Sequence, residues 1–154
     1  MYRSIKEVRV TVQRIIDSLE RVERNFIAPD ATVRAALAML AERNVGALVV
    51  SSDGDKVEGI ISERDIVRGL VNEGDALLDG PVSDLMTEKV VTCVATDRAS
   101  GIMAVMISKY LRHMPIVDDG KYVGMLSIRD LLQLRLTEVQ SEADAMRSYI
   151  AGNT

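Results

Sequence analysis

A chain of 154 residues, 47% of them hydrophobic, can bury one compact core or two small cores packed together. A net charge of −4 and only 3% aromatic side chains argue against a surface that coats nucleic acid or a basic face that lies on a membrane. One cysteine, Cys93, allows no internal disulfide and fits a reducing compartment. The charged segment Met1 to Arg9 lacks the apolar centre of a signal peptide, and no apolar run reaches the roughly 20 residues of a membrane span. A cytoplasmic protein is the expectation.

In chain order, Ile5, Val8, Val12, Ile15, Leu19 and Val22 recur at steps of three and four, which invites a long amphipathic helix. Comparison with the second half favours a shorter one, because Val12 to Ile16 parallels Val82 to Met86 after Pro81. Asn25 to Pro29 then parallels Val90 to Val94, each read as a strand. Asp30, Ala31 and Thr32 supply N-cap candidates for a helix over about 32–44, with Val33, Ala36, Leu37 and Leu40 as its buried stripe. Val45 to Val50 is a strand, Ser51 to Asp55 a hairpin turn and Val57 to Ser62 the return strand. A helix from Ser62 to about Asn72 precedes a linker, 73–81, that contains Gly74, Asp79 and Gly80.

The second half repeats the order. A helix starting at Asp97 turns Ile102, Met103, Met106, Ile107 and Tyr110 inward; Met114 to Val117 and Tyr122 to Ser127 form a hairpin; Ser127 opens the last helix. The ungapped comparison sets Val45-Gly46 opposite Arg112-His113. Each unit is strand–helix–strand–strand–helix, too small to bury both faces alone, so two units should pack as a pseudo-twofold pair. The fold class is therefore α/β (α+β) with small mixed sheets. The divisions are a first repeat with its N-terminal segment (1–72), the linker (73–81), a second repeat (82–136) and a C-terminal helix and tail (137–154). In that last part Leu132, Leu136, Val139, Ala143, Met146 and Ile150 form a narrow stripe, suited to helix packing across a dimer axis or back onto the body.

Two seven-residue stretches organise the chain: Gly59-Ile60-Ile61-Ser62-Glu63-Arg64-Asp65 and Gly124-Met125-Leu126-Ser127-Ile128-Arg129-Asp130. Each reads as a strand end turning into a helix N-terminus, where backbone N–H groups, a hydroxyl and a carboxylate meet. A single Ser-x-x-Asp before an apolar run is most simply a capping box. Two copies in the same context point to a ligand as well, and capping does not exclude one. In that setting Ser62 and Ser127 could donate hydroxyls to a phosphate.

Together with Asn44 to Val50 and Arg112-His113-Met114-Pro115-Ile116-Val117-Asp118, these stretches resemble a tandem pair of CBS domains, or Bateman module, over roughly 12–136. The resemblance is to the stand-alone form. It implies adenosine-ligand sensing in clefts between the repeats, with AMP the leading candidate among AMP, ADP, ATP, NAD(H) and S-adenosylmethionine. It also implies a homodimer and a regulated protein partner. Asp65 and Asp130 would hold the ribose, where a carboxylate accepts two charge-assisted hydrogen bonds from a diol and repels a 2′-phosphate. Arg112, His113, Met114 and Pro115 match the family's basic pair and Pro-containing strand, which faces phosphates. Arg64 and Arg129 precede each Asp, and a cation in the first helical turn is opposed by the dipole, which suggests a phosphate or partner use. Adenine would lie near Ile27 or Val91.

Three other functions compete with this reading. Cys93 with His113 could suggest a thiol enzyme, but Cys93 sits in an expected buried strand beside Val91 and Val94, where a thiol is structural. One His and one Cys make no metal cluster. A ligand-independent dimerisation adaptor is the better rival, and a nucleic-acid binder the poorest.

Overall fold

The computed structural model describes residues 10–18 and 23–152. The proposed helical repeat over Ile5 to Val22 lies partly outside them; within them, α1 spans Val12–Ser18. The first sheet has the order β1-β2-β3, with β1 (Phe26–Ile27) parallel to β2 (Ala47–Val50), and β2 antiparallel to β3 (Gly59–Ser62). The second is the hairpin of β4 (His113–Asp118) and β5 (Lys121–Ser127). The expected strand over Val90 to Val94 shrinks to one parallel bridge, Cys93 to Ile116.

Helix α2 (Val33–Arg43) begins where Thr32 accepts the Ala35 N–H, and it buries Val33, Ala36 and Leu40 while Leu37 stays partly exposed. Helix α3 (Glu63–Glu73) follows β3 directly. The expected linker is not loose: Asp75–Asp79 form a 3-10 turn, and Leu77 is buried in the first core. Helix α4 (Ala99–Ser108) starts two residues after Asp97, whose carboxylate accepts the Val94 N–H instead of capping. It buries Ile102 and Met106, but Ile107 and Tyr110 face solvent, contrary to the expected inward stripe. Tyr110 lies past the helix end in the left-handed region, at φ 55°, which turns its side chain away from the helical face.

Hydrogen bonds fix the correspondence of the two units. Val45 donates to Leu40 as Leu111 donates to Met106, at 3.1 and 2.8 Å, and Asn44 and Tyr110 share the left-handed conformation. Ala47 pairs with Ser62 as His113 pairs with Ser127. The counterparts of Arg112-His113 are therefore Gly46-Ala47, one residue on from the ungapped comparison. Likewise Ile27 receives the Ser51 N–H as Cys93 receives the Val117 N–H, which makes Asn25, not Phe26, the counterpart of Val91.

Two apolar cores result, and each draws its opening segment from the other half. Val12 and Ile15 are buried with Cys93, Met106, Met114, Ile116, Leu126 and Leu131. Val82 and Leu77 are buried with Val33, Leu40, Leu48, Ile61 and Ile66. The backbone repeats the exchange: Val12 donates to Asp97 at 2.9 Å and Val82 to Ala31 at 2.7 Å. Neither unit closes its core without a segment from beyond its own helix–hairpin–helix.

At one end the hairpins are joined by polar contacts. Buried Tyr122 donates its N–H to the Asp55 carbonyl at 2.7 Å and its hydroxyl to the Asn25 carbonyl at 3.4 Å, and burial pushes its phenol up to about 12. Arg24 bonds the Gly54 carbonyl and, at 2.8 Å, the Asp55 carboxylate, which Lys121 also approaches at 3.4 Å. Arg24 and Lys121 together hold the Asp55 carboxyl below its usual range. The halves are thus pinned at one end and free to form a cleft elsewhere.

Helix α5 (Ile128–Ala151) is a single uninterrupted helix. Leu131 enters the second core and Leu134 packs beside it. The stripe from Leu132 to Ile150 remains exposed, so the helix does not fold back on the body.

Candidate functional site

Both Ser-x-x-Asp stretches form complete capping boxes. Ser62 donates its N–H and its hydroxyl to Asp65 Oδ2, at 2.8 and 2.7 Å, while Asp65 N–H donates back to Ser62 Oγ at 3.3 Å. Around Ser127 and Asp130 the same three bonds measure 2.9, 2.6 and 3.2 Å. In this arrangement the serine protons are given to the neighbouring carboxylate. None of these bonds uses the second oxygen, Oδ1, of either Asp. Capping occupies one carboxylate oxygen and leaves the other for a ligand.

The helix N-terminus is likewise only partly available. Glu63 N–H donates to the Gly46 carbonyl at 3.1 Å, and Ile128 N–H to the Arg112 carbonyl at 2.9 Å. With Asp65 and Asp130 N–H tied to their serines, the Arg64 and Arg129 N–H groups are the first-turn donors outside these bonds. A bound anion would meet one such donor per helix, not a ring of them.

A cleft of about 550 Å³ opens between the two halves, a size within the range of small-molecule sites. From the first half come Gly46, Ala47, Ile60, Ser62, Glu63, Arg64, Asp65 and Arg68; from the second come Lys89, Val90, Val91 and the run Lys109 to His113. Five cationic side chains (Arg64, Arg68, Lys89, Lys109, Arg112) thus face two carboxylates (Glu63, Asp65) in a chain of net charge −4. Local excess charge of this sign concentrates anions.

His113 sits at the centre of the junction. It pairs with Ser127 across the hairpin, so the two side chains share one face of the sheet. A Cβ added to Gly46 would lie 2.8 Å from His113 Cε1, too close for any side chain without displacing the ring. Gly46 is thus what lets the imidazole reach the first half. Burial lowers the His113 pKa; nearby Glu63 opposes that shift, Arg112 reinforces it, Asp130 opposes it and Arg64 reinforces it. An imidazole that feels the charges of both motif copies and is pushed below its usual pKa by burial is neutral at neutral pH, and an added anion or lower pH favours its protonation.

Of the residues singled out in the sequence, the structure brings Ser62, Arg64, Asp65, Val91, Arg112 and His113 into this cleft. Ser127, Arg129 and Asp130 do not line it. Met114 and Pro115 are buried: Met114 belongs to the second core, and Pro115 accepts the Cys93 N–H at 3.0 Å. Neither lines the cleft. Ile27 is buried in the first core and does not line the cleft. The sequence reading missed Arg68, Lys89 and Lys109. Arg68 sits one helical turn beyond Arg64, a spacing that could have revealed it, whereas Lys89 and Lys109 lie in irregular segments without any periodic signal. A smaller apolar hollow of about 430 Å³ between α4 and α5 contains none of these residues.

Cys93 is buried, and its surroundings push the thiol up to about 12, which rules out a ready thiolate nucleophile. Among the described residues no group of His, Cys, Asp and Glu could hold a metal ion, and no helix is long and apolar enough to cross a membrane.

A duplicated α/β unit with exchanged opening segments and a cationic cleft at the junction defines a two-repeat class of module. The chain belongs to the CBS-domain family: the family model matches residues 12–72 and 82–137. It is 34% identical over 127 residues to the Arabidopsis thaliana protein called CBS domain-containing protein CBSX3, mitochondrial, covering 80% of this chain and 62% of that one. The chain thus spans a little under two thirds of that relative's length. Among solved structures, a CBS-domain containing protein of Agrobacterium tumefaciens superposes with a TM-score of 0.78 at 30% identity, covering 82% of this chain and 99% of that one. A Pyrobaculum aerophilum CBS domain protein, complexed with AMP, superposes with a TM-score of 0.69 at 30% identity, covering 79% and 89%.

Proposed function

We propose that the chain is a regulatory sensor, not a catalyst, that binds an adenosine nucleotide in the cleft between its repeats. One observation carries this reading: Asp65, with Oδ1 unused, opens onto the same cleft as Arg64, Arg68, Lys89, Lys109 and Arg112. Oδ1 would accept a ribose hydroxyl, the cations and His113 would take the phosphate, and Val91 with Ile60 would flank the base. The AMP complex of the Pyrobaculum protein supports the same ligand class, with ADP, ATP, NAD(H) and S-adenosylmethionine as the other members to compare. A single cysteine fits a reducing compartment, for which the cytoplasm is the simplest setting.

A nucleotide touching both halves would favour one relative packing of them, by no more than its difference in affinity for the two arrangements. A homodimer would pass that change to a regulated protein partner. The test is isothermal titration with AMP, ADP, ATP, NADH, NADPH and S-adenosylmethionine, repeated on Asp65→Ala. Saturable binding of an adenosine ligand that this substitution abolishes is the expected result. No binding by any of the six at millimolar concentration would overturn the sensor reading and leave a ligand-independent adaptor.

A further inference from the structure

The C-terminal half of α5 lies beyond the family match, which ends at residue 137. Leu132, Leu136, Val139, Met146 and Ile150 are between 47% and 68% exposed along it, a continuous apolar stripe on a helix that leaves the body. The spacing of that stripe, with Ala143, alternates four and three residues, the heptad pattern of a two-stranded coiled coil. Leu136, Ala143 and Ile150 take one seam position, Leu132, Val139 and Met146 the other. Leu131 and Leu134, which seat the helix on the second core, fall on the side away from this seam. The helix can therefore pack on its own body and on another helix at once.

We propose that this seam pairs with the same seam of a second copy, the two helices running parallel and in register. Charge selects the direction. In a parallel pair the residue before one seam position meets the residue five places on in the other helix. That sets Glu142 against Arg147 of the other copy twice, and Arg135 against Gln140 twice. In an antiparallel pair centred on the stripe, Glu142 lies near its own counterpart and both favourable contacts are lost. Among the described residues, Arg147 has an exposed in-chain contact with Asp144 at 3.7 Å and Arg135 one with Glu138 at 3.4 Å, both weak competitors. This pairing specifies the homodimer surface and is independent of ligand binding.

The experiment is analytical ultracentrifugation of the full chain, combined with oxidative cross-linking of Leu136→Cys and, separately, Ile150→Cys. The native Cys93 is buried and does not compete. Parallel in-register pairing joins each variant to itself, at both ends of the seam. Met146→Glu should weaken the dimer by about 100-fold or more, because a charge enters the seam in both helices. Glu142→Arg should weaken it, and Glu142→Arg combined with Arg147→Glu should restore it. A dimer that cross-links at neither position overturns this surface while leaving a homodimer in place. A monomer at all concentrations overturns both.

Discussion

The two Ser-x-x-Asp stretches form the same bonds in surroundings that differ. Around Asp65 and Asp130 the three capping bonds agree within about 0.1 Å, so the helix starts are interchangeable as local structure. Asp65 opens onto a cleft with five cations, whereas Asp130 does not line that cleft. The asymmetry comes from the strands opposite. Where the second unit carries Arg112-His113, the first carries Gly46-Ala47, and the imidazole fills the space that Gly46 leaves. Duplication supplied two capped helices, and the unequal strand residues give them different surroundings.

The comparison breaks most directly through the carboxylates. Asp65→Ala removes a charge-assisted acceptor worth about 1.5–3 kcal/mol for one ribose hydroxyl, so nucleotide affinity should fall by about 10- to 150-fold. Asp130→Ala should change affinity in this cleft by less than about threefold, since Asp130 reaches it only through the field at His113. Equal losses in the two variants, measured by titration calorimetry, would show that the sites are equivalent and the asymmetry unimportant.

Arg112→Ala is expected to have the next effect. An exposed guanidinium facing a phosphate contributes less than the ribose carboxylate, so a 10- to 30-fold loss for AMP is expected. Adenosine, which has no phosphate, should lose little. The ratio of the two losses measures whether the cations face the phosphate or merely raise the general attraction of the cleft.

Much of this geometry was legible in the sequence, and what was not has physical causes. The capped helices, hairpins and doubled unit follow from period and turn chemistry, because Thr32, Ser62 and Ser127 act within their own turns. The exchange of Val12 and Val82 between cores was hidden, because a short apolar turn carries no address for the core it enters. The exact pairing of units slipped by one residue, since apolar strands such as Ala47–Val50 and Met114–Val117 align equally well in either register. Lys89 and Lys109 escaped notice for the same reason that loop residues usually do: folding, not spacing, brings them to the cleft.

His113 gives a smaller effect with a definite sign. Burial holds its folded pKa below the ordinary 6.5, so the free protein disfavours the protonated ring. Stability from this group is fully present above pH 6.5 and declines as pH falls through that value toward the folded pKa. A bound phosphate reverses the preference, because it favours the imidazolium. AMP affinity should therefore rise as pH drops from about 7.5 to 5.5, by at most about tenfold per unit, and His113→Asn should flatten the slope. A slope unchanged in that variant would place the titrating group elsewhere.

The smallest expected effect tests whether the two copies are equal as structure. Ser62→Ala and Ser127→Ala each remove a cap that receives one backbone N–H and supplies one hydroxyl to the neighbouring carboxylate. Each should cost about 1 kcal/mol in chemical denaturation, with the two values within a few tenths of each other. In Ser62→Ala the Asp65 carboxylate also loses a bond that orients it toward the cleft, so ligand affinity should drop several-fold. Ser127→Ala should leave affinity unchanged. Matching stability losses with unmatched binding losses would separate the capping role, common to both stretches, from the ligand role of one.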